Sequence, residues 1–120
     1  MIDHIGLRVS DVQASKRFYE AALKPLGYRV VHEFGDEAAG LGAEGKVDFW
    51  IGRGETGKVH LAFHGPNRAS VEAFYAAAIA AGGRDNGAPG LRPQYHPTYF
   101  GAFVLDPDGN NVEAVCHTAP

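Results

Sequence analysis

His4-Ile5-Gly6-Leu7 and His60-Leu61-Ala62-Phe63 stand 56 residues apart, and the spacing does not stop with them. Phe18-Tyr19 returns as Phe74-Tyr75, Ala21-Ala22-Leu23 as Ala77-Ala78-Ile79, and Gly27 as Gly83, all at the same offset. One shared tetrapeptide is common by chance, whereas four blocks at one spacing indicate two copies of a single module. The first copy covers about residues 1–56 and the second about 57–120. Each opens on a strand-like segment that carries histidine.

In the first copy Ile5, Leu7 and Val9 alternate with His4, Gly6 and Arg8, the period of a strand with two unlike faces. Ser10 and Asp11 are N-cap candidates. Val12, Phe18, Tyr19, Ala22, Leu23 and Leu26 then recur at helical spacing until Pro25 and Gly27 end the segment. Tyr28 to Phe34, a short piece around Ala39 to Leu41, and Val47 to Gly52 are strand-sized and bounded by glycine. The order is βαβββ. The second copy repeats it: a strand over Val59 to His64, a helix over Arg68 to Ala81 after Pro66-Asn67, and strands over Tyr99 to Leu105 and Asn111 to His117. Between Gly82 and Pro97 turn chemistry dominates, so any strand there is expected to be short or at an edge. The fold class expected is α+β, two paired βαβββ modules forming an open, curved mixed β-sheet.

The chain of 120 residues, 45% hydrophobic, is long enough for one core and one domain. Eleven Lys and Arg against 14 Asp and Glu give a formal charge of −3 with no block of like charge, which argues against nucleic acid and anionic membrane partners. Met1-Ile2-Asp3-His4 shows no basic leader and no long apolar run follows, so a soluble cytoplasmic protein is expected. Cys116 is the only cysteine. It has no disulfide partner within the chain and no thiolate neighbour, and it is expected to pack against a helix; any metal is left to nitrogen and oxygen ligands.

Three strands offer such ligands on one face each. His4 shares its face with Gly6 and Arg8, His60 with Ala62 and His64, and Glu113 with Val115 and His117. A lone strand histidine is usually a surface residue, but two at equivalent repeat positions, joined by a carboxylate, suggest a site for one divalent ion if the modules pair. Two imidazoles and a carboxylate leave coordination positions open for substrate, unlike the closed set of structural zinc. Iron, manganese, zinc and nickel all suit these donors. Gly6 and Ala62 leave room above the ion. Arg8 and His64 follow the two histidines on the same faces as candidate substrate contacts. Arg92, Tyr95, His96 and Tyr99 crowd the irregular loop, a place from which side chains gate clefts.

These residues resemble the glyoxalase, bleomycin-resistance protein and extradiol dioxygenase superfamily, the vicinal oxygen chelate superfamily. The likeness runs over Asp3-His4-Ile5-Gly6-Leu7-Arg8-Val9-Ser10-Asp11, Val59-His60-Leu61-Ala62-Phe63, and Phe103-Val104-Leu105-Asp106-Pro107-Asp108-Gly109-Asn110-Asn111-Val112-Glu113. The last stretch is the most specific. The resemblance implies a paired βαβββ fold, a homodimer, and metal ligands on the first, fifth and eighth strands, positions that His4, His60 and Glu113 match one by one. Glyoxalase I has a further glutamate ligand on its fourth strand. Asp48-Phe49-Trp50-Ile51 stands there in this chain, with Trp50 nearest the position, which argues against glyoxalase I activity proper.

The expected activity is therefore that of a metal-dependent enzyme, a dioxygenase, lyase or transferase, whose small substrate chelates the ion through neighbouring oxygens. His64, His96 and Tyr99 are the candidates for moving a proton, and Arg8, Trp50, Arg92, Tyr95 and Phe103 for binding substrate. The alternative is a metal-free protein that sequesters a small molecule or antibiotic against Trp50, Phe49 and Phe103. Substrate, native metal and reaction stay open at this point, as does whether the site lies within one chain or across a dimer.

Overall fold

Alternation, caps and glycine punctuation become eight strands and two helices in a computed structural model that describes residues 2–120; Met1, within the expected span of the first module, lies outside the described residues. The first module runs β1 (Ile5–Val9), α1 (Val12–Leu23), β2 (Arg29–Phe34), β3 (Ala38–Ala43) and β4 (Lys46–Arg53). The second runs β5 (His60–His64), α2 (Arg68–Ala80), β6 (Arg84–Leu91), β7 (Phe100–Leu105) and β8 (Asn111–Cys116). The βαβββ order holds in both.

Caps fix the helices where polar side chains can reach the first free amides. Asp11 accepts from Ala14 N at 3.1 Å to start α1, and Asn67 and Ser70 form a reciprocal capping box at the start of α2. The periodic segment after Val12 does not stay α-helical to Leu26. Lys24–Leu26 tightens into a 3-10 turn containing Pro25, and Gly27 closes it at a φ of 89°.

Each module makes its own four-stranded mixed sheet, ordered β1-β4-β3-β2 and β5-β8-β7-β6. β1 is parallel to β4 and β5 to β8, while the other pairs are antiparallel. Among the described residues the two sheets are separate, so β1 and β5 are both edge strands. β6 does lie at an edge, as its turn-rich sequence implies, yet it is eight residues long and not short. Two register shifts absorb Asn86, Ala88 and Pro89, which is how an edge accommodates a residue that cannot donate.

One core serves both modules. Leu7 and Val9 of β1, Phe49 and Ile51 of β4, Leu61 and Phe63 of β5, and Val112, Ala114 and Cys116 of β8 meet Phe18, Tyr19, Leu23, Val71 and Phe74 of the helices. Ile5, expected on that side, is instead 39% exposed at the open end of β1. Tyr19 packs edge-on against Phe49, and Phe49 against Phe63, so aromatic contacts cross from one module to the other. Burying each such ring contributes about 1.5–3 kcal/mol, far above the ~0–1 kcal/mol of the surface pairs Lys16–Glu33 and Arg53–Glu37.

The Asp-Pro-Asp-Gly turn adds a polar tie between modules. Asp106, 2% exposed, accepts from Asn110 N, Asn110 Nδ2 and Asp108 N within its turn, and from Tyr19 Oη on α1 at 2.5 Å. Asp108 takes the Ser10 hydroxyl and amide. Ser10 thus serves the turn, and Asp11 alone caps the helix. No helix among the described residues is long and apolar enough to cross a membrane.

Candidate metal centre

With the helix side of each sheet filled, the opposite faces of β1 and β5 stay open, and these carry His4, Gly6 and Arg8 and His60, Ala62 and His64. In the second module β8 lies between β5 and β7, so Glu113 is in register with Ala62 on one side and Phe103 on the other. Ala62 is too small to cover the carboxylate. His60, one step along β5, reaches it instead: Nε2 lies 3.0 Å from Glu113 Oε1.

The other imidazole nitrogen decides what that contact means. His60 Nδ1 lies 3.1 Å from the carbonyl of Asn111, and a carbonyl only accepts, so Nδ1 carries the hydrogen. In the neutral ring Nε2 then presents a lone pair to a carboxylate that is 1% exposed. Two acceptors face each other, and only a cation between them, a proton or a metal ion, makes the arrangement favourable. A histidine whose far nitrogen is fixed by a backbone carbonyl is also the usual preparation of a metal ligand. The donor set fits a divalent ion.

Glu113 Oε2 accepts from the Tyr99 hydroxyl. Gly101, beside it on β7, makes room: a Cβ there would stand 3.2 Å from both Glu113 Oε2 and the Tyr99 ring. Desolvation, followed by the bond to Glu113, pushes the Tyr99 phenol above its ordinary range. Tyr99 therefore keeps its proton at neutral pH and spends it on Glu113. The ring in turn packs against Tyr95, His96 and His117.

His96, expected beside the cleft, is paired with His117. Thr98 N donates to His96 Nδ1 at 3.2 Å, so Nε2 carries the hydrogen and donates to His117 Nδ1 at 2.7 Å. His117 shares the face of Glu113 by strand period, the one signal in the sequence that could have found it. Phe103 stacks on His60 at 6.3 Å, and the Arg92 guanidinium lies over Phe103 at 5.4 Å while donating to Ala88 O. Tyr95 is 60% exposed. His64 is exposed on the His60 face of β5, with no hydrogen-bond partner among the described residues.

The first module holds the rest. His4 sits one residue before β1, its side chain 60% exposed and its Nδ1 2.8 Å from Asp3 Oδ1, which leaves Nε2 free to bind. The bond from His4 holds the Asp3 carboxyl below the usual range. His4 and His60 border one crevice of about 440 Å3 between the modules. Yet among the described residues no three His, Cys, Asp or Glu come together as an ion-binding group. The structure joins His60 to Glu113 and leaves His4 apart from them within the chain.

Trp50 and Arg8 lie on the open face of the first sheet, where Trp50 is in register with Gly6. Asp48, the carboxylate on β4, lines the crevice that His4 and His60 border, its two oxygens 2.8 and 2.9 Å from Tyr28 Oη. Phe49, expected to face a bound ligand, is 1% exposed in the core, because β4 alternates and Trp50 takes the open side.

A family model described as Glyoxalase/Bleomycin resistance protein/Dioxygenase superfamily matches residues 1–114. Among solved structures, a glyoxalase/bleomycin resistance protein from Albidiferax ferrireducens T118 is 26% identical, with a TM-score of 0.79 over 97% of this chain and 98% of that one. A glyoxalase/bleomycin resistance protein/dioxygenase family enzyme from Burkholderia phytofirmans PsJN is 21% identical, with a TM-score of 0.76 over 98% of each chain. A lactoylglutathione lyase from Agrobacterium tumefaciens is 17% identical, with a TM-score of 0.72 over 97% of this chain and 92% of that one. The last two likenesses concern the fold alone. No curated protein matches.

Proposed function

Because the chain belongs to the glyoxalase/bleomycin resistance protein/dioxygenase superfamily, we propose that it is a divalent-metal-dependent enzyme of the cytoplasm, acting on a small molecule that offers two neighbouring oxygens. His60 and Glu113 of one subunit and His4 of the partner subunit hold the ion. The observation that carries this reading is the pair of acceptors, His60 Nε2 and Glu113 Oε1, brought to 3.0 Å with Nδ1 already committed to Asn111 O.

The sheet edges support a homodimer. β1 and β5 end their sheets unpaired, with Ile5 and Val59 39% and 41% exposed beside His4 and His60. Free edges with apolar side chains favour continuation of the sheet by another chain. A two-fold axis that sets β1 of one subunit against β5 of its partner makes two equivalent sites, each with three ligands.

When bound, the ion supplies Lewis acidity toward charge developing on the substrate oxygens, and iron, manganese, zinc and nickel all fit the donors. The chain's own residues supply the rest. Tyr99 orients Glu113 through the bond from its hydroxyl. His64, free and on the His60 face, is the group placed to move a proton, with His96 at the rim as the second. Phe103 walls the site beside His60. Arg8, Arg92 and Tyr95 border the opening, where two guanidinium groups favour a substrate with negative charge. Trp50 occupies the place where a fourth ligand would stand, which leaves the chemistry on the dioxygenase, lyase or transferase side of the superfamily and away from glyoxalase I.

Elemental analysis of protein purified without chelator tests the reading, on the native chain and on His60→Ala. Stoichiometric metal in the first and its loss in the second is the expected result. Absence of metal from the native protein, also after anaerobic reconstitution, would sink it.

A further inference from the structure

The open face of the first sheet carries an aromatic arrangement for which the metal centre has no use. Trp50 on β4 is in register with Gly6 on β1 and Gly40 on β3. A Cβ on Gly40 would stand 2.8 Å from the indole, so the indole lies over β3 and requires glycine beneath it. Gly6 has nothing within 4 Å of a Cβ, so the floor beside the indole is bare.

A bulge completes the arrangement. Val30 is opposite Leu41, but His32 is opposite Gly40, so Val31 is an extra residue in β2. Val30 stays against the core while His32 and Phe34 are turned to the face of Trp50, a re-aiming that bulges commonly perform near binding sites. The His32 ring lies 5.8 Å from the indole at 4°, and Phe34 6.4 Å at 22°. Phe34 is 59% exposed.

Arg8 borders a hollow of about 350 Å3 with Gly6, Ala38, Trp50 and Gly52, and Trp50 is the member of the aromatic row that lines it. It has no ion pair or hydrogen bond among the described residues. Two acids of the first module are engaged elsewhere, Asp48 by Tyr28 and Glu37 by Arg53.

We propose that this face is a subsite for a flat aromatic anion, its ring against the Trp50 indole, which His32 and Phe34 flank in near-parallel planes, and its negative group toward Arg8. Three nearly parallel planes match a planar occupant and gain from offset stacking. An aliphatic chain would gain burial but no stacking, and a cation would meet an uncompensated guanidinium. The inference rests on the metal reading for its catalytic meaning, because Gly6 and Arg8 continue the face of His4, but binding on the row is measured separately.

Trp50 is the only tryptophan in the chain, so its fluorescence lifetime reports this face alone. Titration of the native protein with 4-nitrobenzoate is expected to shorten the lifetime saturably. Phe34→Ala and His32→Ala each weaken binding about three- to tenfold, and Arg8→Gln about tenfold or more. Neutral 4-nitrobenzyl alcohol binds more weakly, by a factor similar to that of Arg8→Gln. The His60→Ala protein, stripped of metal, binds 4-nitrobenzoate as the native chain does. No saturable change, equal binding of the alcohol, or unaltered affinity in Phe34→Ala and Arg8→Gln would overturn the subsite. Loss of binding in His60→Ala would also overturn it, by placing the anion at the metal instead. A native protein without metal that still binds through Phe34 and Arg8 would sink the metal reading and leave the subsite standing.

Discussion

Tyr99 and Glu113 are joined so that one carboxylate oxygen is committed to a phenol while the other is left facing His60. A carboxylate held at one oxygen has a fixed direction at the other. Tyr99→Phe keeps the ring among Tyr95, His96 and His117 and removes only that constraint. Metal affinity is expected to fall about 10- to 100-fold, and stability by about 1.5–3 kcal/mol, the usual worth of a hydrogen bond to a charged group. Competition with a chromophoric chelator measures it, and an unchanged affinity would deny Tyr99 a positioning role.

Gly101 guards the same contact from below. In Gly101→Ala the new methyl stands at 3.2 Å from Glu113 Oε2 and from Tyr99, so one of them must shift. The expected signature is a loss of metal affinity by about tenfold. Melting should fall by roughly 4–15 °C, since a single small overpacking costs about 1–3 kcal/mol.

If each site is shared between subunits, two defective proteins can repair one another. His4→Ala and Glu113→Gln homodimers should each lack metal. In a refolded equimolar mixture half of the dimers are mixed, and each mixed dimer has one intact site. Metal should therefore return to roughly a quarter of all sites, the result of random pairing about a two-fold axis. A mixture as empty as its components would show that His4 serves its own chain.

Tyr19 gives the fold a pH limit. Desolvation, then the carboxylate of Asp106, raises its folded pKa above the ordinary value of 10.0. The folded state thus holds a proton that the unfolded chain gives up, and stability from this group is complete below about pH 10 and declines as pH rises beyond it. Denaturant midpoints between pH 8 and 11 should fall for the native chain and fall less for Tyr19→Phe. At neutral pH that variant should be less stable by about 1.5–3 kcal/mol, the usual worth of a hydrogen bond to a charged group.

The parts of this molecule that repeat were legible from the sequence, and the parts that break the repeat were not. His4 and His60 announced themselves because a strand returns every second residue to one face. Glu113 did so because its strand follows an unmistakable turn. His32 and Phe34 stayed hidden, since the extra residue Val31 destroys the alternation that would have put them with Trp50. The length of β6 was hidden too, because glycine and proline read as loop until a partner strand supplies its hydrogen bonds. The role of Tyr99 depends on a cross-strand neighbour. Nothing in its own surroundings in the chain distinguishes it from Tyr95.

The bond from Tyr19 to Asp106 also bears on how the chain comes off the ribosome. Asp106 is synthesised 87 residues after Tyr19, and Phe63 and Phe74 must arrive before Phe49 and Phe18 are fully covered. The amino-terminal half therefore emerges with its aromatic side exposed and waits for the carboxy-terminal half before it can settle. Nascent chains halted before the last turn should remain open to protease and attract chaperones, and native structure should appear only once the final hairpin has cleared the exit tunnel.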